Sequence, residues 1–181
     1  LTAAGAEVMV FDPLTDPLPD DADALVLPGG FPEEFTAELA ANDVARQQVQ
    51  QLAAGGAPVH AECAGLTYLV SELDGHPMCG VLSGSARFTD RLTLGYRDAV
   101  AVTDSSLHAA GERTTGHEFH RTTVEFTESY QPAWVYSGNR TVRDGAVHGG
   151  VHASYLHTHP AAAPDAVARF VAHAARSRLA R

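Results

Sequence analysis

Little in this 181-residue chain can cross-link it. Cysteine occurs twice, at Cys63 and Cys79, too few for a disulfide framework, and two free thiols in a reducing compartment is the simpler reading. Basic side chains are scarce, 12 against 22 acidic ones, for a net charge of −10. That balance argues against a nucleic-acid backbone or an anionic membrane as the main partner. No apolar run approaches the roughly 20 residues that span a bilayer, and no charged segment followed by an apolar stretch opens the chain as a secretory signal. The GxxxxGK[ST] phosphate loop, the HExxH motif and paired CxxC spacing are all missing. What is present is 45% hydrophobic and 19% charged, enough for one globular domain with a sizeable core. Ten histidines against two methionines is the one compositional oddity, and several histidines fall late in the chain.

The opening Leu1-Thr2-Ala3-Ala4-Gly5-Ala6 reads as the end of a helix with its C-cap glycine, so the chain is expected to be a piece of a longer protein. Residues 7–11, Ala24–Leu27 and Pro58–Glu62 have strand character, separated by a helical region that starts near Glu33 and continues from an Asn42-Asp43 cap, with Ala45, Val49, Leu52 and Ala53 on one face. Residues 64–70 read as a turn opening a further helix. Alternating strands and helices predict an α/β fold whose functional side chains lie at the C-terminal ends of parallel strands. From about 80 to 136 the pattern becomes β-rich, with several short strands separated by turns. Residues 149–156 read as one more strand. Pro164 starts a last amphipathic helix with Val167, Phe170, Val171 and Ala174 inward, and Arg176, Arg178 and Arg181 complementing its C-terminal dipole.

Four places carry side chains or backbone suited to chemistry. Cys63 falls between a strand and a helix, with small residues at Ala61, Ala64 and Gly65. Those flanks suit a sharp turn that presents a nucleophile, and the helix dipole behind it suits a thiolate; a buried core cysteine is the competing reading. Cys79 lacks such flanks and reads as core. Gly29-Gly30, at the end of a strand, can aim backbone N–H groups at an oxyanion, though a plain turn explains them as well. Among His148, His152, His157 and His159, His157 is best placed to serve Cys63 as a base. A zinc ion held by His157 and His159, with His117 or His120, is the rival for that cluster. Gly116–Arg121 is either a salt-bridged loop or a substrate-facing segment in which Glu118 meets an ammonium group beside His120.

Five ordered segments combine these features: Gly29-Gly30-Phe31-Pro32-Glu33, Ala61-Glu62-Cys63-Ala64-Gly65-Leu66, Thr89-Asp90-Arg91-Leu92-Thr93-Leu94-Gly95-Tyr96-Arg97, Gly116-His117-Glu118-Phe119-His120 and His152-Ala153-Ser154-Tyr155-Leu156-His157. Together they resemble the glutaminase domain of the cobyrinic or hydrogenobyrinic acid a,c-diamide synthase family, among the class I glutamine amidotransferases. The resemblance implies a class I amidotransferase-like (flavodoxin-like) fold over 1–181: a largely parallel sheet flanked by helices, with an antiparallel β-rich portion around 80–136. It also implies a missing first strand and a missing upstream synthetase domain. In function it implies that L-glutamine is hydrolysed and that ammonia passes to the synthetase domain. There ATP and Mg²⁺ would activate the a- and c-acetate groups of the corrin ring for amidation; this domain itself would bind no cofactor or metal. The setting implied is the cytoplasm, and a homodimer of the full-length enzyme is allowed.

Carried over by residue, Cys63 is the nucleophile and His157 the base. The backbone of Gly29, Gly30 and Ala64 forms the oxyanion hole, and Glu118, His120 and Arg91 are candidates to bind glutamine. The wider class has a Glu two residues after the histidine; here that position is His159, so a Cys-His dyad is expected. Ala64 stands where the family often has glycine, and keeps its N–H in place only with a negative φ. The alternatives are the related glutaminase domain of a cobyric acid synthase, a catalytically silent docking module, or an unrelated cysteine hydrolase.

Overall fold

The computed structural model describes residues 1–138 and 140–180. Its first sheet has four strands: β1 (Leu25–Leu27), β2 (Val59–Glu62), β10 (Val151–Ser154) and β9 (Ala146–His148), in the spatial order β1-β2-β10-β9. The first three are parallel, with Leu27 and Ala153 both in register with Ala61, and β9 returns antiparallel. Between β1 and β2 lie α1 (Thr36–Ala41) and α2 (Asp43–Ala54), and α3 (Ala64–Leu69) leaves directly from β2. Alternation along β2 buries Val59 and Ala61 against the core, with Val49 and Leu52 of α2 and Leu66 and Leu69 of α3. The Asn42 cap forms as the sequence predicts: its side chain accepts the Ala45 N–H at 3.2 Å. Its amide also donates to the carbonyls of Pro13 and Asp16, tying the turn-rich loop to α2.

The second sheet holds β3 (Val70–Leu73), β4 (His76–Pro77), β5 (Leu82–Ala101), β6 (Arg113–Phe126), β7 (Trp134–Ser137) and β8 (Thr141–Asp144). Only its β3–β5 pair is parallel, so parallel pairing is concentrated in three strands of the first sheet and the 80–136 portion is largely antiparallel, as expected. Where the sequence reads as several short strands, β5 is one 20-residue strand, and with β6 it makes a long antiparallel ribbon, irregular between Phe88 and Thr93. The turn-like residues Gly84, Asp90 and Gly95 are carried through because continuous cross-strand pairing outweighs local preference. Residues 116–121 accordingly lie inside a strand rather than in a loop. β6 crosses the first sheet at the exit of β10, where His117 and His157 exchange backbone hydrogen bonds of 3.0 and 2.8 Å.

Residues 7–11 form no strand. They pair with none among the described residues, leaving Val10 92% exposed, because strand propensity is realised only by pairing. With the free edge of β1 and with α4 (Pro164–Ala180) they line an apolar cleft of about 1420 Å³ that reaches Gly29, Gly30 and Ala64. Phe170 of α4 is buried as expected, and Arg178 pairs with Asp23 at 3.5 Å; Arg181 lies outside the described residues.

Candidate active site

The elbow begins with backbone geometry. Cys63 ends β2 and caps α3 at φ 51° and ψ −103°, one of two non-glycine residues with positive φ among those described. An L-residue reaches that region only at a cost, here sustained by a Cys63 N–H bond to the Ser154 carbonyl at 2.8 Å and by α3 packing on β1. Gly65 is what permits that packing: a Cβ there would lie less than 3.0 Å from the Leu27 carbonyl oxygen. Ala64, the first residue of α3, has a negative φ, so its N–H keeps the direction a glycine would give. A Cβ at Gly30 would lie 3.9 Å from that of Ala64, the residue after Cys63, so Gly30 and Ala64 pack together. The thiol is less open than the elbow motif predicts. Cys63 is 6% exposed, because β6 passes over it and brings the Phe119 carbonyl to 3.7 Å from Sγ.

His157 stands against Gly29. Its ring stacks on His117, centroids 4.9 Å apart, and its Cε1 edge fills the space that a side chain at Gly29 would need. Its backbone is fixed by the bridge to His117 and by Asp144, whose carboxylate accepts the N–H groups of Tyr155 and Leu156 at 3.2 Å each. Burial lifts Asp144 to about 6, against those two bonds. Hydrogen bonding to Cys63, then to Glu62, raises His157 to about 9, while desolvation opposes it. An imidazolium beside a thiol is the charge state that serves acyl transfer by cysteine.

Glu62 lies beside His157, a placement that sequence reasoning does not single out. Strand alternation puts it with His60 on the face of β2 away from Val59 and Ala61. Its Oε1 accepts from both the N–H and the hydroxyl of Thr158 at 3.0 Å, with His60 Nε2 at 3.3 Å, and its Oε2 lies 3.6 Å from His157 Nδ1. Burial raises its pKa, but the hydrogen bonds from His157 and His60 prevail and hold it far below the usual carboxylate range.

The predicted glutamine-binding residues fare differently. Glu118 is buried, with Oε2 2.6 Å from Arg97 Nε and Oε1 accepting the Tyr136 hydroxyl at 2.8 Å. His120 Nε2 stands 3.5 Å from that same Oε1, its Nδ1–H donates to the Thr122 carbonyl, and its ring stacks on Tyr155 at 3.8 Å. Burial opposes the Glu118 charge, but the bonds from His120, Tyr136 and Arg97 outweigh it and set its pKa at about 2. Both side chains are therefore engaged with partners inside the protein. Arg91 is exposed in the irregular stretch of β5, and no described contact joins it to Cys63 or His157. Arg97, six residues on, is the cation that faces inward. His159 does not join His157 as a chelating pair: its Nδ1 caps the N–H of Ala161, and no metal-ligating cluster of three or more His, Cys, Asp or Glu occurs among the described residues. His152 is fully buried, bonded to Ser105 and packed on Trp134 and His108.

Residues 1–164 match the CobB/CobQ-like glutamine amidotransferase domain. Over 177 residues the chain is 75% identical to the hydrogenobyrinate a,c-diamide synthase of Mycobacterium tuberculosis, an alignment covering 97% of this chain and 39% of that protein. Over 172 residues it is 59% identical to the hydrogenobyrinate a,c-diamide synthase of Streptomyces coelicolor, covering 94% and 35%. The chain thus spans well under half the length of these curated relatives. Among solved structures, a glutamine amidotransferase from Thermotoga maritima superposes with a TM-score of 0.54 at 15% identity, covering 91% of this chain and 67% of that one, a likeness that carries the α/β fold and no more. No helix among the described residues is long and apolar enough to cross a membrane.

Proposed function

The chain belongs to the CobB/CobQ-like glutamine amidotransferase family, and on that premise we propose that it hydrolyses L-glutamine at Cys63 and supplies the ammonia for an amidation carried out elsewhere in a longer protein. The observation that carries this reading is Cys63 held at positive φ at a strand-to-helix junction, with the His157 ring packed against Gly29 and close enough to the thiol for its pKa to be raised. Cys63 Sγ attacks the carboxamide carbon of glutamine. The backbone N–H groups of Gly29, Gly30 and Ala64 receive the oxyanion. His157 gives its proton to the departing amine, leaving a γ-glutamyl thioester and ammonia. Water, deprotonated by His157, then cleaves the thioester to glutamate and restores the thiol.

The identity to hydrogenobyrinate a,c-diamide synthases supports a particular destination for the ammonia: the a- and c-acetate carboxylates of hydrogenobyrinic acid, bound to a synthetase domain, in cobalamin biosynthesis. ATP and Mg²⁺ are assigned to that domain, in keeping with the lack of a GxxxxGK[ST] phosphate loop in this sequence. The setting is cytoplasmic, in keeping with two free cysteines.

The test is to incubate the full-length protein with glutamine, quench in acid and look by mass spectrometry for a γ-glutamyl adduct on the Cys63 peptide while glutamate release is measured. The adduct and the glutamate are expected from the wild type, and neither from Cys63→Ala. Glutamate release at the wild-type rate by Cys63→Ala would overturn the reading.

A further inference from the structure

We infer that Glu62 is the positioning carboxylate of this site: from the strand that carries the nucleophile it holds His157 by Nδ1, leaving Nε2 to serve Cys63. The inference rests on the glutaminase reading and adds a third member to it. The residue two places after the histidine, where the wider class carries its acid, is His159, and that side chain caps a neighbouring turn. Glu62 fills the role from a different element. Its two oxygens have separate work. Oε1 is fixed by the N–H and hydroxyl of Thr158, the residue following His157, and lies beside His60; Oε2 is left for His157 at 3.6 Å. The carboxylate thus grips both the backbone and the ring of the histidine loop.

A distance of 3.6 Å is a loose contact of the kind that tightens when substrate is bound. The charge also has a consequence for the ring. Hydrogen bonding to Glu62 is the second cause, after Cys63, of the raised His157 pKa. The other titratable groups around the pair are His60 on β2, His152 on β10, His117 on β6 and Cys63 itself.

Glu62→Gln keeps the shape and an acceptor for Thr158 but removes the charge, whereas Glu62→Asp keeps the charge on a shorter arm. Glutamine hydrolysis by the full-length protein is measured from about pH 6 to 10, alongside the pH dependence of Cys63 alkylation by iodoacetamide. For Glu62→Gln a fall in kcat of about 10- to 100-fold is expected with little change in KM. The alkaline limb governed by His157 should move down by about one pH unit in both assays, and Glu62→Asp should restore part of each effect. Wild-type kcat and an unmoved limb in Glu62→Gln would overturn the inference. So would an equal loss in both variants with the limb unmoved, which is the mark of a structural role. If Glu62→Gln does not fold, a wild-type alkylation profile and kcat in Glu62→Asp, whose shorter arm holds the carboxylate farther from the ring, overturns it as well. A wild type that hydrolyses no glutamine, yet whose alkylation limb shifts in Glu62→Gln, would refute the glutaminase reading and leave the coupling of Glu62 to His157 standing.

Discussion

Replacing Gly29 by alanine should disable the site without unfolding the protein. The added Cβ would lie less than 3.0 Å from His157 Cε1, with Nδ1 and Nε2 each 3.2 Å away. Ordinary contact begins near 3.4 Å, so the imidazole has to withdraw by about 1 Å, and a displacement of that size in a catalytic group can cost about 100-fold in rate. That corresponds to about 2.7 kcal/mol on the barrier. The stability cost is smaller, because what yields is a ring at the end of a side chain, and the φ of Gly29 is not in the left-handed region. Loss of unfolded-state entropy, worth about 0.4–1 kcal/mol, offsets part of the overpacking. Gly65→Ala makes the contrast: its Cβ would strike the Leu27 backbone carbonyl, which has nowhere to go, so that change should destabilise the fold by at least about 1–3 kcal/mol. Glutamine hydrolysis and thermal unfolding of Gly29→Ala, measured together, decide the matter. A wild-type kcat in a folded Gly29→Ala protein would refute the placement of His157 against that glycine.

Two further outcomes follow from the titrating groups. Burial pushes the Cys79 thiol up to about 12, against a hydrogen bond from Tyr68, so at about pH 8 roughly one molecule in ten thousand carries that thiolate. Brief iodoacetamide treatment should modify Cys63 and spare Cys79 in the folded protein, and equal labelling by peptide mass spectrometry would contradict this. His157 is raised from 6.5 to about 9, so its contribution to folding is complete below about pH 6.5 and is lost as pH rises through about 9. The melting midpoint should decline over that interval in the wild type, and His157→Gln should flatten the decline; an unchanged slope in the variant would count against the bond to Cys63.

The elbow is legible in the sequence because its demands are local: small residues at Ala61, Ala64 and Gly65 around a cysteine between a strand and a helix leave few other structures. The Asn42 cap and the burial of Phe170 on α4 are legible for the same reason, although Ala166, not Val167, joins Phe170 in the core. Glu62 is not, although its signal is present. Alternation along β2 separates it from Ala61, but a charged residue at a strand end reads as a solvated one until the loop after β10 is seen to fold over it. The ribbon escapes a local reading because Gly84 and Asp90 look like turns between short strands, and only pairing with β6 shows β5 to be continuous. Residues 7–11 fail in the opposite sense, with the right composition and no partner among the described residues. Glu118 and His120 draw attention for their chemistry, and they turn out to be engaged inside the protein, Glu118 with Arg97 and Tyr136 and His120 stacked on Tyr155.

The central claim is that Cys63 makes ammonia and does nothing else, and the full-length enzyme can be asked this directly. Serine nearly matches cysteine in volume, so Cys63→Ser should fold, while its hydroxyl lacks the easily formed thiolate that the attack requires. Amidation of the corrin carboxylates is measured with glutamine or with an ammonium salt as nitrogen donor. The glutamine-dependent rate should fall by about 1000-fold or more, and the ammonium-dependent rate should stay within about twofold of wild type, since free ammonia enters after the step that Cys63 performs. Loss of both activities in a folded Cys63→Ser enzyme would contradict the account and return Cys63 to the synthetase step or to the core.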